Sequence, residues 1–360
     1  MEQRSSGFSI EVRVGEHSSE ARSYFSDEDL GPFRSPQFLR AMHGEGWQSV
    51  LLSRGGHAML HCRASTPIAG TGYADAEAWT GYGGPLFTRD VPAAFVADVL
   101  DAYSDSCRRS GLIAETVRFD PAKGDETKFS ASALRRLVYP RRIVVKHLPP
   151  NASDLIRTYS EACTRRINRY SKQYRINACL PDSEVRDRFH RLLLLSMARV
   201  GAIDRWRLAR PALDSLCDIP ETEVIEVTPV SGGAPVSAAL CFFSKPCAHS
   251  FLVANEDPKA FPSACDVLMH AFLARAHEAG SRIACLGGGG TLADDDTLLR
   301  YKLRFSPRSE HRLAVGVMIH NPAVYDELCH HAEPSSRIDP VTAALFPYKD
   351  AVPRHLESLT

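Results

Sequence analysis

The chain has 360 residues, 44% hydrophobic and 24% charged, with lysine plus arginine equal to aspartate plus glutamate at 43 each. That length suits about two domains, and the composition is that of a folded globular protein, which excludes disordered and collagen-like chains. Equal charge totals exclude a polycation, and no run approaches the ~18 consecutive apolar residues of a membrane span.

In chain order, the opening Met-Glu-Gln-Arg-Ser-Ser-Gly develops no apolar leader pattern. The ten cysteines lie scattered from Cys62 to Cys329 without a Cys-x-x-Cys pair, the usage of reduced thiols, so a cytoplasmic location is expected. Phe8–Val14, Trp47–Ser53 and His57–Arg63 read as extended segments. Gly81-Tyr-Gly-Gly-Pro85 is a strong breaker, with Tyr82 beside it as a candidate pocket wall. Asp90 is a candidate cap for a helix with Pro92 in its first turn, burying Phe95, Val96, Val99 and Tyr103 and stopping at Gly111. A strand at Leu112–Phe119 follows.

From Arg135 to Arg175 eleven basic residues face only Asp154 and Glu161, a formal charge of +9. Within this stretch Arg165, Arg169 and Lys172 fall on one helical face at i, i+4 and i+7, flanked by Arg166 and Tyr170. The bland reading is a solvated face. The sharper one is a track for a polyanion such as RNA, or for a nucleotide-linked substrate.

Amphipathic helices are expected at Asp182–Val200 and Ala209–Leu216. The second half then repeats the order of the first: strands at Val224–Val230, Pro235–Phe243 and His249–Val253, a helix from Pro262 to Gly280, and a strand at Arg282–Leu286. Two copies of one unit follow from this repeat, an α+β arrangement of mainly antiparallel sheet flanked by helices. The expected division is residues 1–148, 149–310 and 311–360. The last piece, a strand at Arg312–Ile319 and a helix from Pro322, packs back on the first unit.

Gly287-Gly-Gly-Gly290 follows a buried strand and formally matches a dinucleotide turn. Asp294-Asp-Asp296 at the next helix start would repel a pyrophosphate, and too little chain remains for a nucleotide-binding half. No Gly-Lys-[Ser/Thr] follows, so it is no P-loop. The glycines suit close approach of backbone to a ligand. Arg300, Tyr301, Lys302 and Arg304 follow within reach of a phosphate or oxyanion near that turn. No metal site is expected, because His-Glu-x-x-His and zinc-type Cys/His spacing are absent. No Gly-x-Ser-x-Gly elbow occurs, so covalent catalysis is not indicated.

Tyr82-Gly-Gly-Pro85, Arg165-Arg-Ile-Asn-Arg-Tyr170, the strands over 224–253, and Ala276-x3-Gly280-x5-Leu286-Gly-Gly-Gly with Leu299-x-Tyr-Lys-x-x-Phe305 together resemble the Fem-like aminoacyltransferases. That resemblance covers roughly residues 35–320. It implies two fused acetyltransferase-like (GNAT) domains, with aminoacyl-tRNA as donor and a small amine or peptide as acceptor. Members build peptidoglycan cross-bridges; a related branch works in antibiotic biosynthesis, and another uses acyl-CoA. Lys302 matches the family's lysine implicated in transfer, and Tyr301 replaces the usual phenylalanine before it. The resemblance thus implies Lys302 and Tyr301 as catalytic residues. Donor phosphates fall to Arg165, Arg166, Arg169, Lys172, Arg300, Arg304, Gly288, Gly289 and Gly290, and an acceptor pocket to Tyr82, Gly83, Gly84 and Phe251. The long coiled-coil arm of some members is missing between Arg210 and Glu221. No cofactor is expected, since an aminoacyl ester is already activated. Acyl-CoA-dependent N-acylation and an RNA-binding remnant of the fold remain alternatives.

Overall fold

Hydrophobic alternation and glycine punctuation set out the strands and helices of a computed structural model, which describes residues 2–5, 7–78, 80–129, 135–202, 206–330, 346 and 348. The chain divides into two units, one of Met1–Arg141 with Arg312–Thr360, the other of Arg142–His311.

The first unit opens with β1 (Glu2–Ser5) and β2 (Phe8–Val14), then three short helices, α1 (Ser19–Tyr24), α2 (Asp27–Leu30) and α3 (Pro36–His43). Next come β3 (Gln48–Arg54), β4 (His57–Arg63), β5 (Ser65–Pro67), β6 (Ala74–Glu77) and β7 (Leu86–Phe87). They are followed by α4 (Ala93–Arg109), β8 (Leu112–Arg118) and β9 (Arg135–Val138). One antiparallel sheet has the order β1-β2-β3-β4-β7. Helix α4 carries Phe95, Val96, Val99, Leu100 and Tyr103 at helical spacing into a core with Phe8, Val50, Leu52 and Met59. It starts after Pro92 without a side-chain cap. Asp90, the sequence's candidate cap, instead lies in the preceding turn at φ 52°. Gly111 at φ 78° ends the helix, as the left-handed region there favours glycine.

The second unit runs β10 (Ile143–His147), α5 (Glu161–Tyr170), β11 (Tyr174–Cys179), α6 (Ser183–Arg199), α7 (Arg210–Cys217) and β12 (Thr222–Pro229). It continues with β13 (Ser237–Phe243), β14 (Cys247–Asn255), α8 (Ala264–Glu278), β15 (Ile283–Gly288) and α9 (Thr297–Leu303). Its sheet order is β10-β15-β14-β13-β12-β11, antiparallel except where β14 meets β15. Helices α5 and α8 cover one face through Cys163, Ile167, Val267, Leu268 and Phe272, against Ile225, Ala239, Cys241 and Ala284. The alternate residues Ala238, Leu240 and Phe242 are also buried, and α6 packs on β13 and β14. The expected boundary after residue 148 differs here. Strand β10 lies before it, yet pairs along its whole length with β15, so it belongs to the second unit.

The chain then returns as β16 (Val315–Ile319) and α10 (Pro322–His330). Strand β16 inserts between β8 and β9, giving the first unit a second sheet, β5-β6-β8-β16-β9. The fold class is therefore α+β, two mainly antiparallel units flanked by helices. Among the described residues no helix is long and apolar enough to cross a membrane.

Candidate functional site

Two strands that begin side by side and then part define the site in the second unit. β14 and β15 run parallel through Cys247↔Ile283, Ala248↔Ala284 and His249↔Cys285, and pair no further among the described residues. Beyond that point β14 stays with β13 as far as Asn255, while β15 stays with β10 as far as Gly288. Each is bulged at the parting. The β13 register steps from Leu240↔Leu252 to Cys241↔Ser250, leaving Phe251 extra, and the β10 register steps across Leu286. Bulges add local twist, which turns the two strands away from each other. Their facing edges hold backbone N–H and C=O groups outside the ladder, and Ser250 Oγ is buried without a hydrogen-bond partner. Such a gap accepts an extended, amide-containing ligand by completing the ladder.

The glycine turn closes one end. Gly287 adopts φ 74°, and a Cβ on Gly289 would stand 2.4 Å from Asp296 Oδ1, so only glycine fits there. Asp296 organises the turn. Its Oδ1 accepts from Leu299 N at 2.9 Å and Gly290 N at 3.2 Å, and its Oδ2 accepts from Thr291 N at 3.0 Å. Partial burial works to raise its pKa, but these backbone donors outweigh that and hold the carboxyl below its usual range. The sequence reading assigns Gly288, Gly289 and Gly290 to donor phosphates. In the structure a carboxylate already fills the anion position of the turn, so Gly290 N is not open to a phosphate. Gly288 instead offers its carbonyl, which accepts from Lys302 Nζ at 2.7 Å. Lys302 thus reaches the mouth of the gap from α9.

Its neighbours have other work. Tyr301 donates its hydroxyl to Cys265 O at 2.8 Å and packs edge-on to Phe305, fastening α9 to α8; burial pushes its pKa well up. That places Tyr301 as a positioning residue rather than one offered to substrate. Arg166 and Arg304 are taken by the buried Asp266, Arg166 Nε donating to Oδ2 at 2.8 Å and Arg304 Nη2 to Oδ1 at 3.0 Å. Both arginines were assigned to donor phosphates from the sequence; the structure ties them to the first turn of α8. Arg165 pairs with Glu161, one helical turn away, and Arg169 lies over Tyr170; with Lys172 and Arg300 both remain exposed.

The basic run also dissolves in part. Arg135 is buried against Asp101 in the first unit. Lys146 is buried in the second, where Nζ donates to Thr158 Oγ1 at 2.6 Å and Phe305 O at 2.9 Å. Burial lowers its pKa to about 8. Local spacing could not reveal these contacts, because Asp101 lies 34 residues from Arg135 and Phe305 159 from Lys146.

The residues read as an acceptor pocket fall in different units. Phe251 sits at the β14 bulge, its ring 5.2 Å from that of Phe242. Tyr82 lies in the first unit, edge-on to Phe33 at 5.1 Å. Gly84 O accepts from Arg34 Nε at 3.0 Å and Nη2 at 2.6 Å, and Gly84 N donates to Arg118 O. Gly83 borders a pocket of the first unit.

No family model and no curated protein matches the chain. Solved structures do. FemX superposes with a TM-score of 0.65 at 11% identity, over 88% of this chain and 99% of that one. The chain thus shares the fold of FemX. L-PGS from Bacillus licheniformis shares this Fem-like fold at a TM-score of 0.52 and 12% identity, over 82% of this chain and 87% of its own. The C-terminal domain of a candidate lysylphosphatidylglycerol synthetase from Agrobacterium fabrum does so at 0.54 and 11%, over 88% and 93%.

Proposed function

We propose that the protein is an aminoacyltransferase that moves an amino acid from aminoacyl-tRNA to an amine, forming an amide bond. The observation that carries this reading is the gap between β14 and β15 with Lys302 at its glycine turn, in a fold shared with FemX. The acceptor amine attacks the ester carbonyl and a C–N bond forms. The bond from carbonyl carbon to ribose oxygen breaks, and the proton lost by the amine ends on the departing hydroxyl. No nucleotide triphosphate is needed, because the ester is already activated.

An α-amine with pKa ~8 is about a tenth neutral at pH 7, so it needs little help from a base. The ammonium of Lys302 supplies positive charge where the oxyanion or leaving oxygen develops. Arg165 and Arg169 on α5 and Lys172 in the short turn after it supply phosphate contacts for the donor. The acceptor is a peptidoglycan precursor or a natural-product intermediate.

The withdrawal of Arg166 and Arg304 to Asp266 favours a second reading, acyl-CoA as donor, since it leaves fewer cations for a long polyanion. Against it, the first turn of α8, a natural seat for a pyrophosphate beside the gap, already holds the Asp266 carboxylate. Equilibrium binding of charged tRNA, uncharged tRNA and acetyl-CoA across a salt series separates the readings. Preference for charged tRNA with a steep negative salt slope supports the proposal. Binding of acetyl-CoA alone transfers the site to acyl-CoA. Equal binding of both tRNA forms, with no amide product, removes the transferase reading.

A further inference from the structure

Helix α6 carries more leucine than its core uses. Leu192-Leu193-Leu194-Leu195 runs through it, and Leu192 and Leu193 are buried with Val185 and Phe189 where the helix packs on β13 and β14. Leu194 and Leu195 turn outward, 39% and 55% exposed, and Val200 just past the helix end is 58% exposed. At about 3.6 residues per turn, Leu194, Ala198, Arg191, Leu195 and Arg199 form one continuous stripe, every member of it exposed.

The same face changes character half-way along. Its first turns carry Glu184, Asp187 and Arg188, and those charges are matched: Asp187 pairs with Arg210, and Arg188 with Glu184 and Glu226. On the last turns every charge is positive. Among the described residues Arg191 has no ion-pair partner, and Arg199 Nη2 reaches only the Asn255 carbonyl, at 3.4 Å. From Arg191 to Arg207 the sequence has four arginines against one acid, Asp204.

Single exposed leucines are ordinary, but an apolar stripe laced with arginines that lack carboxylate partners calls for an occupant. Of three occupants, only one uses both kinds of side chain. A second copy of the chain, related by a two-fold axis, would set these arginines against one another. A nucleic acid would take the arginines and leave the leucines in water. An anionic lipid surface takes both. The leucines enter the acyl boundary, while the guanidinium groups stay with the headgroup phosphates at the ends of their apolar stems.

We propose that the C-terminal half of α6 is a docking face for an anionic membrane surface, bound peripherally through Leu194, Leu195 and Val200 with Arg191 and Arg199 at the headgroups. Arg199 touches the last residue of β14, so this face lies at the end of the unit where the gap opens. The inference concerns lipid binding alone and stands whatever donor or acceptor the gap takes.

The test is co-sedimentation of the full chain with extruded vesicles, one set of phosphatidylcholine alone and one of equal parts phosphatidylcholine and phosphatidylserine. The protein should pellet with the mixed vesicles and stay in the supernatant with phosphatidylcholine at the same lipid concentration. Leu194→Gln with Leu195→Gln should weaken binding about tenfold or more, because insertion scales with buried apolar area. Arg191→Gln with Arg199→Gln should weaken it about tenfold and flatten its salt dependence. All four side chains are exposed, so neither pair disturbs the core, and circular dichroism checks each variant.

The basic side chains of α5 serve as the internal control, since a face that attracts lipid by charge alone needs no leucine. Binding that survives the leucine pair but falls on Arg165→Glu with Arg169→Glu overturns the proposal. So does a failure to pellet with the mixed vesicles. A dimer in sedimentation velocity that the leucine pair dissociates would give the face to a second copy instead. Loss of tRNA binding in the arginine pair, with vesicle binding unchanged, would give it to nucleic acid.

Discussion

Lys302 and His320 differ in how their surroundings can be tested. Lys302 is half-buried, and its ammonium is 2.7 Å from Gly288 O at the mouth of the gap. Its candidacy was legible in sequence because a glycine turn, an aromatic residue and several cations sit together within a short stretch. The demotion of Arg166 and Arg304 was not legible, since Asp266 lies 100 residues from Arg166. Lys302→Ala should lower turnover about 100-fold with folding intact, the scale of losing one donor to a developing oxyanion; near-normal turnover by circular-dichroism-verified protein would remove Lys302 from the chemistry. His320 carries a stability prediction. Its folded pKa of about 9 lies above the usual 6.5, so its contribution is fully present below pH 6.5 and lost as pH rises through 9. Glu115 is shifted the opposite way, below the ordinary carboxylate range, despite burial; His61 and His320 supply the compensation, and its contribution disappears only in acid. The unfolding free energy from urea titration should therefore fall between pH 7 and 9.5, by up to about 3 kcal/mol, and His320→Gln should flatten that slope.

At the scale of elements, legibility followed the strength of the pattern. Helices α4 and α8 announce themselves by proline at the start, glycine at the end and apolar residues at helical spacing, and β2 and β4 by runs bounded with turn residues. Strand β10 was hidden because Lys146 interrupts its apolar run and two prolines follow closely; only pairing with β15 explains its burial. Strand β11 lies at the sheet edge with Arg175–Ala178 exposed, so it has no inside–outside alternation to read. Helix α5 precedes it and keeps Arg165 and Arg169 outward, and Lys172 is exposed in the short turn between them and the strand. Their like charges on one face are tolerated more readily with an anionic partner. Reversing all three to glutamate should weaken tRNA binding and flatten the plot of log K against log salt by about 0.7–0.9 for each phosphate that is no longer neutralised. An unchanged slope, measured by filter binding, would assign that face to solvent alone.

At the scale of the whole chain, the internal repeat of strands, helix and strand made two units visible in the sequence. The break at residues 141 and 312 was not visible, because it depends on which strands pair. Strand β16 is the fourth strand of the sheet β5-β6-β8-β16-β9 and has a neighbour on each side. Val315, Val317 and Met318 are at most 2% exposed, and His320 follows directly into the Glu115 network. Three such side chains at about 2 kcal/mol each represent about 6 kcal/mol of burial, comparable with the ~5–15 kcal/mol that holds a typical domain folded. Removing the strand would also leave Glu115 buried with one fewer cationic partner. Ending the chain at His311 should therefore unfold the first unit while sparing the second, whose sheet closes within Arg142–His311. Hydrogen exchange read by mass spectrometry checks this. Peptides from β3, β4 and β8 should lose protection, and those from β12 to β14 should keep it. Retained protection in β8 would mean that the first unit is held by its N-terminal sheet and α4 alone, with β16 an addition to a core that is already sufficient.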